Sequence, residues 1–197
     1  MPDSANSISL LLAAFPPELA GLDAAPPQGW RVACTGVGAL EAAVATARLL
    51  AEFRPGRVLF LGTCGAYDSR LEIGDLICAG SAIATSLEEL EGRAYRPGIE
   101  RIRWESTWPL PLPSAAVAVP PAITSTEEGA GLLSRIAEAE HLELTGICAA
   151  CVAAGVPVAA ALAVANRVGP EAHAQWEANH ARVSRTLVEF LRERGVI

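Results

Sequence analysis

The stretch Arg57–Asp75, RVLFLGTCGAYDSRLEIGD, constrains this chain more than any other. Arg57–Leu61 has the unbroken apolar character of a strand covered on both faces. It runs straight into Gly62-Thr63-Cys64-Gly65-Ala66, a run of small residues that reads as a turn. A second apolar run, Asp75–Ala79, follows Gly74. Small residues at the carboxyl end of a strand let a ligand approach the backbone, and their N–H groups line a concave polar surface. Taken alone, the run is equally compatible with any sharp turn. The chain is 51% hydrophobic but only 5% aromatic, so Ala, Val and Leu must fill the core and elements must pack closely. That suits a layered α/β protein better than a β-sandwich.

Periodicity along the chain supports the same class. Ile8–Ala14 reads as a first strand stopped by Pro16-Pro17, and Trp30–Thr35 as another, ending at Gly36-Val37-Gly38. Leu40, Ala43, Val44, Ala47 and Leu50 then fall at the spacing of a buried helix face, and Pro55-Gly56 breaks that helix before Arg57. Strand–helix–strand in this order predicts a parallel crossover in a three-layer αβα fold with a mixed central sheet. Asp75–Ala84 and Ala115–Val119 are further strands. Ser86–Ser114 is the least regular region, either a long excursion over a site or a variable hairpin connection, the second being the simpler reading. Ser125-Thr126-Glu127-Glu128 resembles a capping box opening a helix to about Ala139. Thr145–Ala154 is a short helix closed by Gly155 and Pro157. Val158–Ala165 is a central strand, and the last helix starts near Pro170 with Trp176, Val183, Leu187 and Phe190 or Leu191 on one stripe.

Several function classes are disfavoured. A length of 197 residues without a linker-like segment reads as a single domain, 1–197. The net charge of −7, scattered along the chain, lacks the basic face that nucleic acid requires. Ile8–Phe15 is too short to cross a membrane and has nothing basic before it, so neither an anchor nor a signal peptide is expected. Five cysteines at irregular spacing speak against a disulfide framework, and the expected location is the cytoplasm. Cys148 and Cys151 read as small buried thiols. His173, Glu177 and His180 share a helical face, which reads as a solvated stripe, and no metal site is expected.

In order and spacing these features resemble the nucleoside phosphorylase and nucleosidase superfamily, over most of the chain except roughly Ser86–Ser114. Gly36-Val37-Gly38 is similar to that family's glycine turn before its first long helix. Thr63, Cys64 and Gly65 are similar to its Gly-Ser/Thr-x-Gly loop beside the ribose, and Gly74-Asp75 to the Gly-Asp leading into the next strand. Leu142-Glu143 falls where the family's Met-Glu binds ribose hydroxyls, with His141 an unusual preceding residue. Asn166 falls where an Asp or Asn contacts the purine, and Glu18 where nucleosidases carry the glutamate that activates water. The resemblance implies a small-molecule nucleoside as ligand, no cofactor, and a homodimer.

The chemistry suits these residue types. An N-glycosidic bond breaks through an oxocarbenium-like sugar, and the adding water must lose a proton, which a carboxylate such as Glu18 can take. An exposed glutamate opening a helix after Pro16-Pro17 is the plainer alternative. Glu143 can accept from both ribose hydroxyls and favour the developing positive charge, unless it belongs to a solvated acidic run, Glu138–Glu143. The Asn166 amide can donate to O6 and accept from N7–H, a pattern that favours 6-oxopurines over adenine, unless it only forms a strand-end turn. Phosphate needs cationic partners. The family's phosphorylases carry an arginine before the glycine loop; here that stretch is Leu59-Phe60-Leu61. Residues 13–22 have no basic side chain, and Leu162 replaces an arginine ahead of Asn166. These absences favour hydrolysis of a nucleoside such as futalosine or inosine. A phosphorylase using Arg70 or Arg167, and a nucleoside-binding protein without turnover, are the rivals.

Overall fold

A computed structural model describes residues 8–22 and 26–197. Its elements are β1 (Ser9–Ala13), a 3₁₀ turn (Pro16–Leu19), β2 (Trp30–Cys34), α1 (Ala39–Phe53), β3 (Arg57–Ala66), β4 (Leu76–Ala84), α2 (Leu87–Leu90), β5 (Arg103–Glu105), β6 (Ser114–Val119), α3 (Glu127–Leu133), β7 (Ala139–Glu140), α4 (Leu144–Ala154), β8 (Val158–Arg167) and α5 (Ala172–Glu193). The eight strands form one mixed sheet. β1 pairs in parallel with β2 and β3, and β3 in parallel with β8, whereas β4 runs antiparallel to β8 and β5. β3 also meets β7 at its far end, and β7 leads through β6 back to β4, so β3, β8, β4, β6 and β7 close a ring.

Strand alternation sorts the core into two layers. Leu10, Leu12, Val58, Phe60, Ala160 and Leu162 point to the side covered by α1 and α4. Leu11, Leu59, Leu61, Ala159, Ala161 and Ala163 point to the other, against Val183, Leu187, Val188 and Leu191 of α5. The α5 face of β8 is all alanine, so the helix seats close to the sheet.

The structure corrects three expectations. Gly62–Ala66 is not a turn but the second half of β3, paired to β8 with a register shift between Cys64 and Gly65. β8 pairs the whole stretch, β7 takes up Gly65–Ala66 on the other edge, and the Thr63 N–H between them goes to Glu18, so the ladder continues. Its glycines serve close approach instead. A Cβ on Gly62 would stand 2.8 Å from the Phe60 ring and 2.9 Å from His141 Nε2.

The buried face of α1 is Ala42, Thr46, Leu49 and Leu50, while Leu40 and Val44 are exposed. Close packing on α4 selects small residues: a Cβ on Gly146 would lie 1.9 Å from the Ala39 carbonyl oxygen. Next, α3 stops at Leu133. Thr126 does cap it, accepting from the Gly129 N–H at 3.1 Å, but Ala139-Glu140 is drawn into the sheet between β3 and β6. Ser86–Ser114 is the hairpin connection of the simpler reading, with a short strand, β5, pairing antiparallel to β4.

Candidate active site

The parallel strands β3 and β8 run on past the carboxyl end of β1, and a cavity of about 310 Å³ opens there against their last residues. Glu18, Thr63, Cys64, Gly65, Leu142, Glu143 and Asn166 all line it. The structure therefore brings together every site residue expected from the sequence.

Glu18 is carried by the 3₁₀ turn after β1 and is buried, not the exposed helix-start residue of the plainer reading. Its Oε1 accepts from the Thr63 backbone N–H at 2.8 Å and from Thr63 Oγ1 at 2.9 Å, and its Oε2 accepts from the Ala14 N–H at 3.1 Å. Burial outweighs these bonds and pushes its pKa from 4.5 up to about 7, with the Glu143 charge adding in the same direction. A carboxyl poised there can both hold and release a proton near neutral pH.

Glu143 stands immediately before α4 and is also buried, so it does not belong to a solvated run. Its Oε1 accepts from the Gly38 N–H at 2.7 Å, at the N-terminus of α1, where the helix favours negative charge. Gly38 adopts φ +90°, a conformation that turns the chain from β2 into α1 and aims this N–H at the carboxylate. His141 Nδ1 accepts the Glu143 backbone N–H at 3.0 Å and lies 3.0 Å from Glu143 Oε2. Burial pushes the imidazole's pKa down, which keeps it neutral.

Asn166 lies opposite Gly65 in the β3–β8 register. One of its amide hydrogens goes to the Arg167 carbonyl at 2.9 Å, and a Cβ on Gly65 would stand 2.9 Å from Nδ2. Gly65 thus makes the room in which the amide sits. Cys64 is buried and its thiol pKa is raised by that burial, which keeps it protonated and unreactive.

The cavity also has walls the sequence reading missed. Phe15 and Trp176 meet at 5.8 Å between ring centroids, and Trp176 stacks on His180 at 4.2 Å. Trp176 packs against the α5 core as its stripe predicts and also walls the cavity, a second role that helical spacing does not distinguish. Glu140, also on the wall, accepts from Tyr67 Oη at 2.9 Å and from the Thr124 N–H at 3.0 Å. Alternation in Ala137-Glu138-Ala139-Glu140 was its one available signal.

No arginine is among the lining residues. Arg70 is paired with Asp68 and Glu138, and Arg167 with Glu72 and the Asp68 carbonyl. His173 pairs with Glu177 at 3.3 Å, and among the described residues no group of three or more His, Cys, Asp or Glu side chains is placed to hold a metal ion. No described helix is long and apolar enough to cross a membrane.

The family model of the phosphorylase superfamily matches residues 30–142. The chain belongs to this superfamily. The futalosine hydrolase of Streptomyces coelicolor is 31% identical over 180 residues, covering 81% of this chain and 77% of that protein. The 5′-methylthioadenosine/S-adenosylhomocysteine nucleosidase of Psychromonas ingrahamii is 46% identical over only 43 residues, 22% of this chain and 19% of that protein. Among solved structures, the 5′-methylthioadenosine/S-adenosylhomocysteine nucleosidase of Helicobacter pylori superposes with a TM-score of 0.81 at 18% identity, covering 96% of this chain and 98% of the other. Its likeness establishes the shared three-layer α/β fold. Glu18, Glu143 and Asn166 fall outside residues 30–142, so what is said of their roles in this superfamily member rests on the geometry above.

Proposed function

We propose that this protein is a purine-nucleoside N-ribosyl hydrolase acting on a 6-oxopurine nucleoside such as futalosine or inosine. The observation that carries the reading is the convergence of Glu18, Glu143 and Asn166 on one cavity that no arginine lines. The relationship to the Streptomyces futalosine hydrolase supports the reaction class.

In this reading Glu143 accepts from the ribose hydroxyls and stabilises positive charge growing at C1′ as the bond to N9 stretches. Glu18 takes a proton from the water that adds to C1′. The departing base carries a proton on N7, which asparagine cannot supply and which comes from water. Asn166 accepts from that N7–H and gives its free amide hydrogen to O6. The products are free base and ribose. Without an arginine among the described lining residues, a phosphate dianion would lose its hydration and gain no guanidinium pair, which disfavours phosphorolysis.

Homodimerisation belongs to the same proposal. Val37, Leu40 and Val44 recur at i, i+3 and i+7 and are 57%, 78% and 63% exposed, and Ile123 is 64% exposed. Val37 and Ile123 also line the cavity, so a second copy covering this apolar stripe would close its mouth.

The test is incubation with inosine, futalosine and adenosine, with and without phosphate, followed by product analysis. Free hypoxanthine plus ribose at a phosphate-independent rate is expected. Hypoxanthine nucleosides should exceed adenosine by about five- to a hundredfold, the effect of one mispaired buried polar group. Asn166→Asp should narrow or invert that order. Ribose 1-phosphate as product, or tight binding with no product, would overturn the hydrolase reading. A wild-type preference for adenosine would overturn only the 6-oxopurine assignment.

A further inference from the structure

The start of α5 reaches the base through Thr63. Trp176 Nε1 donates to Thr63 Oγ1 at 3.1 Å, and the same hydroxyl lies 2.9 Å from Glu18 Oε1. An indole N–H can only donate, and a carboxylate can only accept. With Glu18 ionised, the hydroxyl between them accepts from Trp176 and gives its own proton to Glu18. We propose that Trp176 is a positioning residue for the base: its indole locks the Thr63 hydroxyl as a donor toward Glu18 and so favours the ionised carboxylate. The role rests on the reading of Glu18 as the base.

The surroundings of Trp176 suit this task. His173 and His180 stack on the indole and Phe15 tilts against it, so the direction of the N–H is held by its neighbours. The lock opposes strong forces on Glu18. Burial pushes its pKa up to about 7, and the Glu143 charge across the cavity pushes the same way. Other titratable groups near Glu18 or on the cavity wall are Cys34, Cys64, Glu140, His141 and His173. Burial raises the pKa of both thiols and lowers that of His141, so these three stay uncharged near neutral pH. A hydrogen bond to an ionised acceptor is roughly twice as strong as one to a neutral acceptor, so the Thr63 donor favours the base form. Without the indole, the hydroxyl is free to rotate and accept from a protonated Glu18 instead.

The experiment is the pH profile of kcat/KM for inosine hydrolysis by the wild type, Trp176→Phe, Thr63→Val and the double variant. Phe keeps a ring for the stack at a half-exposed position and removes only the donor. The acid limb should move to higher pH by about half to one unit, so the rate of Trp176→Phe relative to wild type should fall about three- to tenfold further below the limb than above it. Thr63→Val should move the limb as well, and adding Trp176→Phe to it should move it no further. A rate loss equal at every pH, or additive shifts in the double variant, would overturn the proposal.

Infrared titration of the Glu18 carboxyl, assigned by its loss in Glu18→Gln, supplies a readout without substrate. Should that titration move in Trp176→Phe while wild type hydrolyses no nucleoside, the positioning role stands and the hydrolase reading falls. An unmoved titration overturns the positioning role whatever the activity. If the Phe variant does not fold, 3-benzothienylalanine at position 176 replaces N–H by sulfur at nearly unchanged shape, and the same outcomes apply.

Discussion

Glu18→Gln should make this protein more stable in alkali and less stable in acid. In the unfolded chain the carboxyl titrates near 4.5, but in the fold it holds its proton up to about 7. Between those values the folded state binds more protons than the unfolded state. Stability therefore falls as pH rises through that window, and is flat below and above it. At ~1.36 kcal/mol per pH unit, keeping Glu18 ionised costs the fold about 3 kcal/mol above the window. Glutamine removes that cost. It retains one oxygen for both Thr63 donors, but it sets an amide N–H against the Ala14 N–H that Oε2 now accepts. Losing that bond costs about 1 kcal/mol.

The variant is therefore expected to be about 1 kcal/mol less stable than wild type near pH 4, below the window, and about 2 kcal/mol more stable near pH 8.5. Urea denaturation followed by tryptophan fluorescence at the two pH values reads the sign change directly. Turnover near pH 8.5 should fall by about 10²–10⁴, the usual range for loss of a general base, and by less at the acid pH, where the wild-type base is itself protonated. A stability difference that does not change with pH would refute the argument that burial holds the carboxyl protonated into the neutral range.

Two further outcomes test the frame around this group. Gly146→Ala puts a methyl where the Ala39 carbonyl oxygen stands 1.9 Å away, with backbone on both sides, so α1 and α4 must separate; a loss of about 2–4 kcal/mol is expected by thermal or urea denaturation, and a loss under about 0.5 would show that the helices can move apart freely. Glu143→Gln removes charge while keeping size, so kcat/KM for inosine should fall more than nucleoside affinity, and 2′-deoxyinosine should be a poor wild-type substrate; equal rates on the two sugars would remove Glu143 from the ribose.

The layers were legible because residues covered on both faces carry an unmistakable pattern. Val58–Leu61 and Val158–Ala165 read as central strands from apolar continuity alone, and both lie in the middle of the sheet. The site was legible in part for a chemical reason, since Glu18, Glu143 and Asn166 are polar residues at the borders of apolar elements. What stayed hidden depends on the third dimension. Gly62–Ala66 looked like a turn because small residues signal turns locally, whereas here they let His141 and Asn166 approach a paired strand. The α1 face was misassigned because bulk usually marks the core, yet the closeness of α4 reserved the inner face for Ala42 and Thr46 and left Leu40 and Val44 outside. Trp176 packs against the core as its stripe predicts, but its second role as a cavity wall has no signal in helical spacing, because one α5 stripe serves the core along most of its length and the cavity at its start.

The two buried carboxylates show how one cavity can hold groups with opposite demands. Glu143 sits on the amide end of α1, where the helix offsets its charge. Glu18 has only the two Thr63 donors and the Ala14 N–H, and the Glu143 charge raises its pKa further. Stabilising Glu143 as an anion therefore makes its neighbour the more reluctant one, and so the better proton acceptor at neutral pH. A positive charge developing on a ribose in the same cavity would offset the repulsion between the two carboxylates. The instability written into Glu18 and the proposed capacity for bond cleavage are thus two readings of one electrostatic arrangement.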